Sequence, residues 1–180
     1  MNVIDQQKTL VISAEEIQKR VKEMGMEISG KFSAKDPIFI GVLNGSFMFM
    51  ADLLRAVSID CEVDFIKVKS YVGTKRTGTI QLIKDISADV TNRHVILVED
   101  IIDSGHTICF LRERIQGASP KSVSIATFLI KPDIAVIDFP VDFVGFEISP
   151  EFVVGYGLDF DQKLRHLDGV YHLDVESVQS

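Results

Sequence analysis

A doubly wound, mainly parallel α/β sheet flanked by helices, with a small hood made by the N- and C-terminal segments, is the architecture this sequence predicts. Three observations predict it. Short aliphatic runs such as IFIGVL, HVILV and SVSIATFLI are apolar throughout, as strands buried on both faces are. Segments with helical spacing of apolar residues stand between them. Polar residues able to do chemistry follow the apolar runs directly, where open α/β sheets hold their ligands.

Taken in order, Ser13 and Glu16 form a capping-box signature, and Ile17, Val21, Met24 and Ile28 then recur on one helical face. This predicts a first helix packed on a core. Gly25 and Gly30-Lys31 come near a Walker A loop, but Phe32 stands where Mg²⁺ needs a hydroxyl and no strand precedes, so that reading fails. Pro37 leads into a strand, Ile38 to Leu43, and Asn44-Gly45-Ser46 turns the chain into a helix, Phe47 to Val57. Glu62 to Lys69 (EVDFIKVK) alternates like a strand with one exposed face. Ser70 to Thr79 is polar and lacks apolar periodicity, which predicts a mobile excursion. A helix from Ile108 to Gln116 ends near Gly117, with Pro120 blocking its extension. Buried strands are expected at Ser122 to Ile130 and Val141 to Phe146.

Between these lies the segment richest in chemistry, His94 to Thr107 (HVILVEDIIDSGHT). Val95 to Val98 reads as a buried strand, with Glu99 and Asp100 at its C-terminal end and Asp103-Ser104-Gly105-His106-Thr107 leading into the next helix. Hydroxyls and a glycine before a helix N-terminus suit a phosphate, because backbone N–H groups and the helix dipole both attract an anion there. Carboxylates beside a phosphate need another purpose. They can accept hydrogen bonds from sugar hydroxyls, directly or through Mg²⁺, or they can handle a proton.

Composition narrows the function classes. The 180 residues suit one domain, and 46% hydrophobic residues with 12 Phe suffice for a core. A net charge of -7 and a pI near 5.1 argue against a broad nucleic-acid footprint. Cys61 and Cys109 form no C-x-x-C, so reduced thiols are expected rather than a disulfide or zinc scaffold. No basic and apolar leader opens the chain, and no run approaches the roughly 18 apolar residues that span a bilayer. A cytoplasmic protein without membrane partners is expected. The sequon Asn44-Gly45-Ser46 carries no weight without a secretory signal.

The acidic segment resembles the phosphoribosyl-pyrophosphate (PRPP) loop of type I phosphoribosyltransferases. Gly41 to Leu53, Lys69 to Ile80, Leu129 to Asp133 and Asp142 to Phe160 are similar to the hypoxanthine-guanine branch of that family, over nearly the whole chain. The resemblance implies the type I phosphoribosyltransferase fold and transfer of ribose 5-phosphate from PRPP to N9 of hypoxanthine or guanine. The products implied are IMP or GMP and pyrophosphate, with Mg²⁺ as cofactor and a homodimer or homotetramer as the assembly. It gives Asp103 the catalytic base role near purine N7 and gives Ser104, Gly105, His106 and Thr107 the 5′-phosphate cradle, where the His106 backbone can serve while its ring faces solvent. Glu99 and Asp100 resemble the pair facing the ribose hydroxyls and Mg²⁺. Leu43, Asn44 and Gly45 resemble the pyrophosphate loop, with Arg165 reaching the same group. The family often has Lys or Arg in place of Asn44, so backbone N–H groups, Arg165 and Mg²⁺ must carry more there. Lys131 matches the donor to purine O6, Phe152 the ring that stacks on the base, and Val153 the residue whose backbone meets the base edge. Asp159 matches a purine-side, Mg²⁺-associated carboxylate, and Ser70 and Tyr71 open what resembles the closing loop.

Two other readings keep an α/β fold: a regulator that binds PRPP or nucleotide and controls RNA or DNA, and a non-catalytic signalling or flavin-binding domain. The acidic pI weighs against the first. The second leaves Lys131 and the FVVGYGLDF block without a role.

Overall fold

The computed structural model describes residues 8–71 and 79–173, with the backbone alone at 70, 71 and 79. In chain order the elements are β1 (Lys8–Ile12), α1 (Ala14–Lys31), β2 (Ile38–Leu43), α2 (Phe47–Ala56), β3 (Glu62–Tyr71), β4 (Thr79–Lys84), β5 (His94–Ile102), α3 (His106–Gln116), β6 (Ser122–Ile130), β7 (Phe143–Glu147), β8 (Val153–Val154) and β9 (Val170–Leu173). The main sheet has six strands in the order β4-β3-β2-β5-β6-β7, parallel except for the β3–β4 pair. Both strand ranges read from IFIGVL and SVSIATFLI match, while the last core strand lies slightly later than Val141 to Phe146.

The apolar runs are buried on both faces, as their lack of alternation requires. Phe39, Ile96, Val98 and Phe128 join α1 and α2 in one core. Ile38, Ile40, Val42, Val95 and Leu97 join Ile108, Leu111 and Ile115 of α3 in the other. The α1 capping box forms: the Glu16 N–H donates to Ser13 Oγ at 3.3 Å, and Glu16 Oε2 accepts from the Ser13 N–H at 2.8 Å. Ile17, Val21, Met24 and Ile28 are its buried stripe. Gly25 is spent on helix packing, since a Cβ there would sit 2.6 Å from that of Ala56.

A small antiparallel sheet, in the order β1-β9-β8, joins the two ends of the chain and is the expected hood. Residues 72–78, most of the expected excursion from Ser70 to Thr79, lie outside the described residues. Ser70 and Tyr71 belong to the end of β3, so that strand runs past Lys69.

The strand order places the site. From β2 the chain winds to β3 on one side, then returns to lay β5 on the other, so β2 and β5 are neighbours across a topological switch point. A crevice opens there at the carboxyl ends of the strands.

Candidate active site at the switch point

The carboxyl ends of β2 and β5 supply the two sides of the crevice. On the β5 side, the strand runs further than the expected Val95 to Val98: β5 continues through Glu99 and Asp100 to Ile102. The strand persists since Glu99, Ile101 and Ile102 still pair with Thr127, Leu129 and Ile130 of β6. Glu99 is therefore buried, at 7% exposure, and its Oε2 has no hydrogen-bond partner. Burial, with the neighbouring Asp100 carboxyl, pushes the Glu99 pKa well above the ordinary value. Burial also raises Asp100, against the lowering influence of Glu99, the Ile101 N–H and Arg165.

The loop proper begins at Asp103. Gly105 caps α3 with φ of 89°, a left-handed conformation that glycine adopts without penalty. Any Cβ there would also press within 2.8 Å of the Val136 carbonyl oxygen. Glu99, Asp100, Asp103, Ser104, Gly105 and Thr107 line a cavity of about 240 Å³ at this turn. The His106 ring does more than face solvent: its Nδ1 lies 3.1 Å from Ser104 Oγ, so the two side chains hold each other.

Asp103 and Lys131 come from the ends of neighbouring strands and meet, with Lys131 Nζ 3.4 Å from Asp103 Oδ1. Lys131 is buried while the Asp103 side chain is 55% exposed. The Lys131 N–H donates to the Ile102 carbonyl at 3.0 Å, which fixes the lysine backbone against the end of β5.

On the β2 side, Leu43 and Asn44 are joined by a cis peptide. Ser46 is fully buried and its hydroxyl donates to the Val42 carbonyl at 2.7 Å, closing the turn into α2. Gly45 lies directly under Asp100, whose carboxylate a Cβ would overlap. Its carbonyl faces Gly157, which has φ of 100° and likewise has no room for a side chain. The C-terminal block thus presses on the loop, and Tyr156 secures it by donating to Asp52 of α2 at 2.7 Å.

A second cavity of about 370 Å³ gathers Leu43, Asn44, Gly45, Glu99, Asp100, Thr107, Asp159 and Arg165. Residues far apart in sequence therefore share one space. Asp159 and Arg165 form an ion pair at 2.6 Å, and Arg165 also donates to the Gly157 carbonyl at 2.7 Å. Phe152 and Val153 stand in the hood, outside both cavity linings. Phe152 is 41% exposed with its ring edge-on to Phe160, and Val153 is buried opposite His172 of β9. Lys67 and Lys69 were not singled out by sequence; they line an adjoining cavity, and the alternation in EVDFIKVK was the signal that placed them on one strand face.

Among the described residues, no three His, Cys, Asp or Glu side chains cluster closely enough to hold a metal ion by themselves. Mg²⁺ does not need that, since it keeps waters and takes one or two carboxylates together with substrate oxygens. The unpartnered Glu99 oxygen, beside Asp100 in a cavity that Asp159 also lines, fits such an ion. Cys61 and Cys109 are free thiols, and no described helix is long and apolar enough to cross a membrane.

Comparison with known proteins agrees with this geometry. The model of the phosphoribosyl transferase domain family matches residues 13–161. The hypoxanthine phosphoribosyltransferase of Escherichia coli K12 is 44% identical over 161 residues, covering 88% of this chain and 90% of that one. The hypoxanthine-guanine phosphoribosyltransferase of Bacillus subtilis is 44% identical over 159 residues, covering 88% of each. A crystal structure of a hypoxanthine-guanine phosphoribosyltransferase from Bacillus anthracis superposes with a TM-score of 0.89 at 41% identity, covering 93% of this chain and 99% of its own. With fold, crevice and sequence in agreement, the chain belongs to the type I phosphoribosyltransferases, in the hypoxanthine-guanine branch.

Proposed function

We propose that the crevice transfers the 5-phosphoribosyl group of PRPP to N9 of hypoxanthine or guanine, giving IMP or GMP and pyrophosphate. The observation that carries this reading is the meeting of Asp103 and Lys131, from two strand ends, next to a phosphate-type cradle at the α3 N-terminus. The reaction needs a stabilised, oxocarbenium-like ribosyl centre, a neutralised leaving group and control of a purine proton.

Each demand has a candidate. The Gly105 turn, with Ser104, His106 and Thr107, offers N–H and hydroxyl groups to the 5′-phosphate. Glu99 and Asp100 face the ribose hydroxyls, where a buried acceptor gains most from a hydrogen bond. Asp103, the exposed member of its pair, accepts or holds the proton at N7. Lys131 donates to O6, and its positive charge disfavours an exocyclic amino group in the same position. Phe152 offers a ring face to the base, and the Val153 backbone its edge recognition. Asn44, Gly45 and Arg165 stand where the pyrophosphate leaves. Mg²⁺, held by one or two of the carboxylates Glu99, Asp100 and Asp159 with substrate oxygens, would supply charge neutralisation to the leaving group. The working assembly under this reading is a homodimer or homotetramer, checked by light scattering.

Pyrophosphate release with PRPP, Mg²⁺ and each of hypoxanthine, guanine, xanthine and adenine tests the assignment. Turnover with hypoxanthine or guanine and none with adenine is expected, and a chelator should abolish it. Turnover confined to adenine would overturn it.

A further inference from the structure

The crevice has a charge problem on its β2 side. Among the described residues, three carboxylates, Glu99, Asp100 and Asp159, line it, and the one lining guanidinium, Arg165, is already paired with Asp159. Asn44 contributes a neutral amide.

An adjoining cavity of about 490 Å³ shares Leu43, Asn44, Val68 and Arg165 with the crevice and adds Lys67, Lys69 and Gln162. Among the described residues, no carboxylate lines it. Strand register explains the position of the lysines. Lys67 pairs with Leu43, the last residue of β2, so it emerges one strand spacing, about 4.8 Å, from the start of the loop. Ile66 and Val68 turn into the core beside α3, which leaves Lys67 and Lys69 on the opposite face, shared with Phe65. Lys67 is half-buried and makes no ion pair among the described residues. A lysine so placed, partly shielded from solvent and next to a loop with no charge of its own, is suited to a phosphate oxygen.

We propose that Lys67, with Lys69 beside it, forms a basic annex of the crevice that takes the pyrophosphate end of PRPP and supplies the cation that the Asn44 position lacks. This rests on the phosphoribosyl transfer proposed above. Under it the acids of the β5 side hold ribose and metal, while the leaving group extends toward β3. The Asn44 amide adds a neutral donor along the same wall.

The test uses Lys67→Ala, Lys67→Arg and the double variant Lys67→Ala with Asn44→Lys. The readouts are the KM of PRPP, the KM of hypoxanthine, and calorimetric binding of inorganic pyrophosphate with Mg²⁺. Lys67→Ala should weaken pyrophosphate binding and raise the PRPP KM by about tenfold or more, with the hypoxanthine KM within about twofold of wild type. Lys67→Arg should keep most of the affinity, and Asn44→Lys should restore part of what Lys67→Ala loses. Pyrophosphate binding unchanged in Lys67→Ala, or an equal loss for hypoxanthine, would overturn the annex. Because the calorimetry needs no turnover, it reads Lys67 even if the purine panel fails, and a wild type active on oxopurines with an indifferent Lys67→Ala would sink this inference alone.

Discussion

Glu99 and Asp103 are carboxylates on the same strand and its loop, yet they sit in opposite surroundings. Glu99 is buried on β5, paired with Thr127 of β6, with one oxygen unpartnered, and burial drives its pKa up. Asp103 is mostly exposed, with a buried lysine at its shoulder. The contrast teaches that burial, rather than residue type, divides the work. Under the proposed reading the buried carboxyl belongs to the PRPP half of the crevice. The carboxylate reachable from solvent and paired with Lys131 belongs, under the same reading, to the purine half.

The sharpest way to break this division is Asp103→Asn, which keeps shape and removes the base. Turnover should fall by about 10²-fold or more in steady-state assays, and undiminished kcat would remove Asp103 from the chemistry. Lys131→Ala should cost about 10- to 100-fold in discrimination between hypoxanthine and adenine, the worth of a hydrogen bond to a charged group. If selectivity stayed whole, the O6 role would be wrong. Gly45→Ala places a methyl where the Asp100 carboxylate lies, so it should raise the PRPP KM by about tenfold while sparing the purine KM. Equal changes in both constants would mean that the halves are not separable.

The smallest effect concerns stability. A carboxyl whose pKa is raised by folding stabilises the protein fully below its ordinary value, near 4.3 for Glu, and loses that contribution as pH rises through the raised folded value. Glu99→Gln cannot ionise. Without Mg²⁺ it should melt above wild type at mildly alkaline pH, by about 2–4 °C for a gain of about 1 kcal/mol, and show a flatter dependence of Tm on pH. Parallel Tm curves for the two proteins would show that Glu99 titrates alike in the folded and unfolded states.

Much of this architecture was readable from residues alone, for local reasons. Ile38–Leu43 and Ser122–Ile130 are apolar runs bounded by turn residues, and α1 announces itself through Ser13, Glu16 and a stripe of four buried side chains. The turn at Ser104-Gly105 into α3 was legible because a glycine between polar residues and an apolar helical stretch is a local signal. The extension of β5 through Glu99 and Asp100 was not, since adjacent charges look like the end of a strand until β6 is known to pair with them. The hood strands β1 and β9 escaped for a related reason: the pairing of Lys8 with Leu173 joins opposite ends of the chain. The Asp159–Arg165 ion pair and the nearness of Lys67 to Asn44 depend on tertiary turns and register, which no local pattern contains.

The division of the crevice is tested most directly by titrating PRPP, with Mg²⁺ and no purine, into Asp103→Asn and Asp100→Asn. Asp103→Asn should bind PRPP within about twofold of wild type, and Asp100→Asn should bind it about tenfold or more weakly. PRPP affinity lost in Asp103→Asn and kept in Asp100→Asn would contradict the assignment of the two halves.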